Sequence, residues 1–230
     1  ANIYRYEDIL ASHSSMTQVL IQELDQIKKA FSTKRKTEIT NAEEAVYVEK
    51  KMEEMDVYFL MDRFGYVRCI DGATYERNKE TAIAENRYVF LCKNTGKVCV
   101  FTGQGQMHTI KISDVPFGKF RDKGIPVDNI SNFQSDRENI IFACSQSDVN
   151  LYRMIFVTKQ SMCKIVDGGE FDVAKRTVAS TKLLEDDELV SVSMLIDKRN
   201  VIMQTKDGYF LRFPIEEIPE KKKGAVGVRG

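Results

Sequence analysis

A chain of 230 residues, 43% of them hydrophobic, can bury a sizeable core; it is long for one domain and short for three. Its 34 basic and 34 acidic residues cancel. No global field therefore draws it to nucleic acid or to a membrane, and any such binding has to come from local segregation of charge.

The first predicted elements are helical, over residues 3–31. Tyr4 to Leu10 forms a short helical stretch that breaks at Ser12, His13 and Ser14. Ser15 followed by Gln18 is a capping-box pattern, in which the hydroxyl takes an orphan N–H and the amide reaches back. Behind it Met16, Leu20, Leu24, Ile27 and Phe31 recur at spacings of three and four. That is one narrow apolar stripe, suited to a seam against a single partner helix, so self-association through residues 15–31 is expected. Lys28 and Lys29 fall in the last turn, where they favour the negative end of the dipole. A basic exit over 34–39 leads into an acidic, polar linker with a strand predicted at Ala45 to Glu49. The predicted division is a helical arm over 1–40, a linker and first strand over 41–56, and a repeat domain over 57–230.

From Val57 onward the pattern is short strands, turns and loops. The clearest unit runs from Val98 to Pro126: an apolar run to Phe101, a turn holding Gly103 and Gly105, a return run from Thr109 to Ile112, a stop at Pro116, and a basic loop. Glycine supplies the positive φ of a tight turn, and proline cannot donate to a sheet ladder. Three other stretches, 57–69, 154–166 and 201–213, carry the same logic. Aligned on Met61, Thr102, Thr158 and Thr205, the copies start about 40 to 55 residues apart, a period that signals a propeller-like array. Each unit is a small sheet that cannot bury its faces alone. The predicted class is mainly β: a propeller-like β-pinwheel of repeated four-stranded blades, about four repeats and truncated inside the last, preceded by a short α-helical coiled-coil segment.

Catalytic and metal signatures are lacking. Five Cys (69, 92, 99, 144 and 163) form no C-x-x-C pair and read as small buried thiols of a reduced, cytosolic chain. His13 and His108 lie far apart, without ligand spacing, and read as surface or turn histidines. Gly103 and Gly105 lack the third glycine and the following helix of a phosphate-binding loop. Tyr6 has nothing beside it to lower its pKa. No apolar run is long enough to span a bilayer, and no signal peptide opens the chain, so no membrane partner is expected.

The informative residues are the recurring cations. A basic side chain follows each turn in the return strand: Arg68, Lys111, Lys164 and Arg212. A basic loop follows each unit: Arg77 and Lys79; Lys119, Arg121 and Lys123; Lys175 and Arg176; Lys221, Lys222 and Lys223. Singly, each is a solvated face or an edge guard. At equivalent positions of a circular array they form one rim, which suits the regular charge of a duplex backbone. The candidate DNA-binding set is Arg68, Arg77, Lys119, Arg121, Lys123, Lys164, Lys175, Arg176, Arg212, Lys221, Lys222, Lys223 and Arg229. The competing reading is a protein-interaction propeller with no nucleic-acid role, which the zero net charge favours. A small-molecule enzyme would need convergent polar groups in a channel, and the sequence offers no such set.

Taken together, the helical arm, the exit at 34–39, Phe101-Thr102 with Gly105, Asp114 to Pro116, Arg121 to Pro126 and Gly224 to Gly230 resemble the A subunits of the bacterial type IIA topoisomerases, DNA gyrase and topoisomerase IV. The resemblance covers nearly the whole chain. It implies the end of a coiled-coil arm and a C-terminal β-pinwheel that bends or grips flanking DNA while the intact enzyme passes one duplex through another. It also implies partners outside this chain, the ATPase or B subunit and a second A subunit, with ATP and Mg as cofactors of the holoenzyme and none here. The winged-helix tyrosine lies upstream of the arm in the family, so this chain should be inactive alone. Its place would be the bacterial cytoplasm, on the nucleoid. Gyrase carries a glycine-containing basic box in its first blade that wraps DNA; the matching stretch here, Tyr75 to Thr81, has no glycine pair, and Lys175 to Ser180 does not restore it. That favours a topoisomerase IV type of subunit over a gyrase that wraps DNA for supercoiling.

Overall fold

The structure is a computed structural model that describes residues 2–38, 53–197 and 200–230. The strand predicted at 45–49 lies outside the described residues. The chain divides into two compact units, Ala1–Lys51 and Met52–Gly230.

The first unit is a helix pair, α1 (Asn2–Ala11) and α2 (His13–Phe31). The break between them is one residue. Ser12, extended at φ −127° and ψ 119°, accepts the Ser15 N–H at 3.4 Å and is the N-cap. The capping box predicted from Ser15 is therefore displaced by three residues, because the helix begins one residue after Ser12 and leaves Ser15 inside its first turn. The stripe on α2 is uncovered: Leu20 is 54% exposed, Leu24 63% and Ile27 55%. An apolar seam of this kind drives association. Sedimentation of the chain should show concentration-dependent self-association that Leu20→Gln with Leu24→Gln removes. A monomer whose α2 amides exchange freely would defeat the expectation.

The second unit opens with β1 (Asp56–Asp62), β2 (Tyr66–Ile70), α3 (Gly72–Glu85) and β3 (Asn86–Lys93). It continues through β4 (Lys97–Thr102), β5 (Gln106–Lys111), β6 (Ile125–Pro126), β7 (Ile140–Ser145) and α4 (Gln146–Leu151). Next come β8 (Arg153–Thr158), β9 (Met162–Asp167), β10 (Thr177–Ala179) and β11 (Leu189–Met194). The last are β12 (Asn200–Gln204), β13 (Phe210–Pro214) and β14 (Val228–Arg229).

These strands build three four-stranded sheets, ordered β3-β1-β2-β6, β10-β5-β4-β7 and β11-β8-β9-β14, and a β12-β13 hairpin. Every pairing between these strands is antiparallel, and two isolated bridges, Cys69↔Phe117 and Ile165↔Glu220, are parallel. Each full sheet has a tight hairpin at its centre, and its own next strand lies beside the first hairpin strand. Its fourth strand comes from the following unit: β6 follows the second hairpin but completes the first sheet, β10 completes the second and β14 the third. This strand exchange links successive sheets into a pinwheel.

Sheet stacking explains why the strands read as continuous apolar runs. Both faces are covered, so both sets of alternating side chains must be apolar. Phe59 and Val67 face the second sheet with Val98 and Ile110. Phe101 and Cys99 face the third with Phe156 and Val166. Ile155 and Ile165 face the β12-β13 hairpin through Ile215 and Phe213. The outer face of the first sheet, Leu60 and Ile70, is covered by α3 through Tyr75 and Ala82. Tyr75 stacks on Tyr58 with ring centroids 3.7 Å apart.

That helix corrects the expectation of strands and loops alone after Val57. Residues 75–81, read as a loop, lie inside α3. Asp71 starts it by accepting the Thr74 N–H at 2.8 Å and the Thr74 hydroxyl at 2.7 Å. Only Tyr75 and Ala82 are buried, two turns apart, so no amphipathic stripe announces the helix. Asn78, at φ −125° and ψ 17°, kinks it midway.

The hairpin register also corrects the repeat alignment. Residues at positive φ stand at one place in every turn: Gly65 at 81°, Gly105 at 72°, Ser161 at 62° and Gly208 at 84°. Met61↔Val67, Phe101↔Met107, Val157↔Cys163 and Gln204↔Phe210 are then equivalent pairs. Asp62, and not Met61, matches Thr102 and Thr158.

Close approach makes Gly124 a key to strand exchange. It sits at φ +75° just before β6, and a Cβ there would lie 2.2 Å from the Val67 carbonyl oxygen. Gly124→Ala should lower unfolding stability by about 2 kcal/mol and release β6, read as lost amide protection at Val67. Unchanged stability and protection would contradict the exchange geometry.

Candidate nucleic-acid interface

Three segments carry most of the candidate cations, and each is the segment that delivers an exchanged strand. Lys119, Arg121 and Lys123 precede β6; Lys175 and Arg176 precede β10; Lys221, Lys222 and Lys223 precede β14. The first and third dock alike on their receiving hairpins, each through a parallel bridge, and the second docks through the residue that precedes its strand. The Cys69 N–H donates to the Pro116 carbonyl at 2.8 Å, Thr109 to Arg176 at 2.8 Å, and Ile165 to Pro219 at 3.2 Å. Cys69, Thr109 and Ile165 are register equivalents, but Pro116 and Pro219 lie nine residues before their exchanged strands and Arg176 one, so the segments share the receiving edge and not a residue-by-residue place.

Exposure sorts the candidates. Arg77, Lys119, Arg121, Lys123, Lys175, Arg176, Arg212, Lys222 and Arg229 are exposed, and Lys221 and Lys223 are half-buried. Arg77 stands on α3, where its Nε donates to the Ala73 carbonyl at 3.1 Å. Lys123 places its ammonium 4.6 Å from the Tyr66 ring centroid. Lys222 pairs with Glu170 at 3.2 Å, and the Lys223 ammonium donates to the Glu170 backbone carbonyl. Burial pushes the Glu170 carboxyl up, but the Lys223 N–H and the Lys222 ammonium outweigh it and hold it below the usual range.

The return-strand cations are a different population. Register makes Arg68, His108, Lys164 and Leu211 equivalent; Lys111 and Arg212 fall elsewhere. Lys164 is 1% exposed. Its ammonium donates to the carbonyls of Lys223 at 2.6 Å, Ala225 at 2.9 Å, Lys222 at 3.3 Å and Ser180 at 3.4 Å. It is withdrawn from the phosphate-contact set, because its donors are spent inside the fold. Burial pushes its pKa down to about 8, and the Glu170 charge opposes that fall. Arg68, 8% exposed, lies beneath the exposed rim, with its Nε unpaired.

His108 corrects the reading of a turn or surface histidine. It is 2% exposed, with Nδ1 3.0 Å from the Thr177 hydroxyl and Nε2 2.9 Å from Glu138. The signal missed was positional: His108 stands where Arg68 and Lys164 stand, and Thr177 belongs to the exchanged strand β10. All five Cys are buried and free, and burial pushes Cys69, Cys92 and Cys99 up to about 12. Unreactive thiols follow. Among the described residues no helix is long and apolar enough to cross a membrane.

The geometry defines a class: a β-pinwheel whose strand-exchange segments carry cations. Residues 153–195 and 199–230 match the family described as DNA gyrase C-terminal domain, beta-propeller. The DNA gyrase A subunit of Lawsonia intracellularis is 27% identical over 98% of this chain, and that of Clostridium acetobutylicum 25% over 99%. This chain spans 29% of the length of each. Among solved structures, the C-terminal domain of DNA topoisomerase IV superposes at TM-score 0.69 with 23% identity, over 77% of this chain and 57% of that one. The E. coli ParC C-terminal domain superposes at 0.59 with 17% identity, over 74% and 69%. The chain is thus similar in sequence to the C-terminal part of DNA gyrase A subunits, and its fold is that of the topoisomerase C-terminal β-pinwheel.

Proposed function

We propose that the chain holds duplex DNA along the cations of its exchange segments, as the C-terminal part of the A subunit of a type IIA topoisomerase. One observation carries the reading: on three successive sheets the segment that delivers the exchanged strand to the same hairpin edge carries exposed cations, so positive charge recurs from sheet to sheet. A backbone of regular charge is the partner that such a repeat fits. The contacting set is Lys119, Arg121, Lys123, Lys175, Arg176, Lys221, Lys222 and Lys223, with Arg77, Arg212 and Arg229 beside it. On the same reading the intact enzyme supplies a second copy of the A subunit, an ATPase partner, ATP and Mg, and works on the bacterial nucleoid. The reactive tyrosine belongs to the rest of the A subunit, and this chain alone does not cut DNA.

The finer reading is a topoisomerase IV type of subunit that bends DNA without wrapping it. Its support is α3, which fills the stretch where the resemblance to gyrase expects a glycine-containing basic box. The gyrase names of the curated relatives favour the wrapping alternative. Two measurements separate the outcomes. Titration of a linear duplex at low salt should show binding; none would leave the protein-interaction propeller. Ligation of nicked plasmid on the bound chain should leave the linking number unchanged, whereas a shift would mean wrapping.

A further inference from the structure

Arg68, His108 and Lys164 hold one register position in three successive sheets, and two of them are filled by the segment that crosses over them. His108 meets Thr177 of β10, and Lys164 meets four carbonyls, three of them just before β14. Arg68 is 8% exposed, yet its guanidinium has no hydrogen bond or ion pair among the described residues. Its Nε is fully buried without an acceptor. Its guanidinium lies over the Phe120 ring, with Cζ 5.7 Å from the centroid. The crossing segment does not close over it. A cleft of about 550 Å³ remains between α3 and residues 120–123, with Arg121 and Lys123 on its wall.

A buried guanidinium without an acceptor is costly, and its planar fork matches a tetrahedral oxyanion. Three carboxylates also line the cleft: Asp62, Glu85 and Asp122. Asp62 is committed to the N–H groups of Phe64 and Tyr66, at 2.8 and 2.9 Å. Asp122 accepts the Lys119 N–H at 2.7 Å. Among the described residues no carboxylate pairs with Arg68, and Glu85 is the one acid of the three without a hydrogen-bond partner, so Arg68, Arg121 and Lys123 leave the cleft with cations in excess of free carboxylates.

We propose that this cleft is a phosphate site, with Arg68 at its floor and Arg121 and Lys123 on its wall. The proposal rests on the DNA reading only for the source of the ligand. On that reading the occupant is one backbone phosphate; a free phosphate or a phosphomonoester presents the same oxygens.

The test titrates inorganic phosphate into the whole chain at constant ionic strength, following the arginine Nε–H resonances by NMR. The Arg68 resonance should shift and saturate while other arginines stay in place. Arg121→Gln with Lys123→Gln, both exposed and safe for folding, should weaken phosphate binding about tenfold. Arg68→Met should abolish the site; if it does not fold, the parent resonances and the double variant decide. An Arg68 resonance that neither phosphate nor a bound duplex moves overturns the site and leaves the DNA reading standing. Saturable phosphate binding without any duplex binding upholds the site and removes the DNA reading. Where both bind, duplex that displaces phosphate from Arg68 identifies the backbone as the source, and duplex that leaves it in place identifies a free phosphate or monoester.

Discussion

The affinity of the chain for a linear duplex should fall about a thousandfold between roughly 50 and 200 mM salt, the loss set by about six phosphate contacts. Each cation that neutralises a phosphate releases a condensed counterion, so the logarithm of affinity falls linearly with the logarithm of salt. The exposed and half-buried cations of the three exchange segments number enough for such a path. Lys164 adds nothing to it, since its donors are held by carbonyls. Neutralising Arg121 and Lys123 together should flatten the slope by about two, one per lost contact. Duplexes of different sequence should bind alike, because backbone contacts carry no sequence directly. Lys222 and Lys223 should count for less than their charge, since Glu170 engages both. Binding that ignores salt, or a double variant with the parent slope, would remove the exchange segments from the DNA path.

The hairpins were legible because each pairs two β-branched and aromatic runs around a residue that tolerates positive φ. The exchange of strands was not. β6 and β14 are two residues long and β10 three, too short for any periodicity to show. The basic loops around Arg121, Arg176 and Lys222 were read correctly as exposed. The return-strand cations were misread because they were matched by charge and not by register: Lys111 and Arg212, grouped with Arg68 and Lys164, stand three residues and one residue past the shared position. The true partner, His108, was set aside as a turn histidine. Composition alone gives no warning that a lysine inside an apolar run is a buried donor, because the acceptors come from carbonyls about 60 residues away, as non-local contacts of a small sheet array do. α3 escaped notice for the opposite reason: its cap at Asp71 is plain in sequence, but its buried face is two residues wide.

Lys164→Met should destabilise the second unit by about 3 kcal/mol, because buried carbonyls lose their shared donor. The methionine fills a similar volume and leaves the core packing of Phe156 intact, so the loss reports polar satisfaction and not a cavity. Arginine should not restore it, since a planar fork cannot aim at four carbonyls converging on one ammonium. The damage should be local first: β14 and residues 222–225 lose amide protection before the hairpin β8-β9 does. Lys222→Met, exposed and outside the cage, should change stability by about 0.5 kcal/mol or less. The pH dependence has a definite sign. Burial sets the folded pKa at about 8, below the ordinary 10.5. Below pH 8 both states hold the proton, and the gap between parent and variant is flat. Between 8 and 10.5 the unfolded chain keeps a proton that the folded chain releases, so parent stability rises and the gap widens. Urea midpoints of both proteins across that window measure it. A variant as stable as the parent would show that Lys164 does not fasten the exchanged strand; a gap that narrows as pH rises from 8 would show that the carbonyl cage outweighs burial in setting its folded pKa.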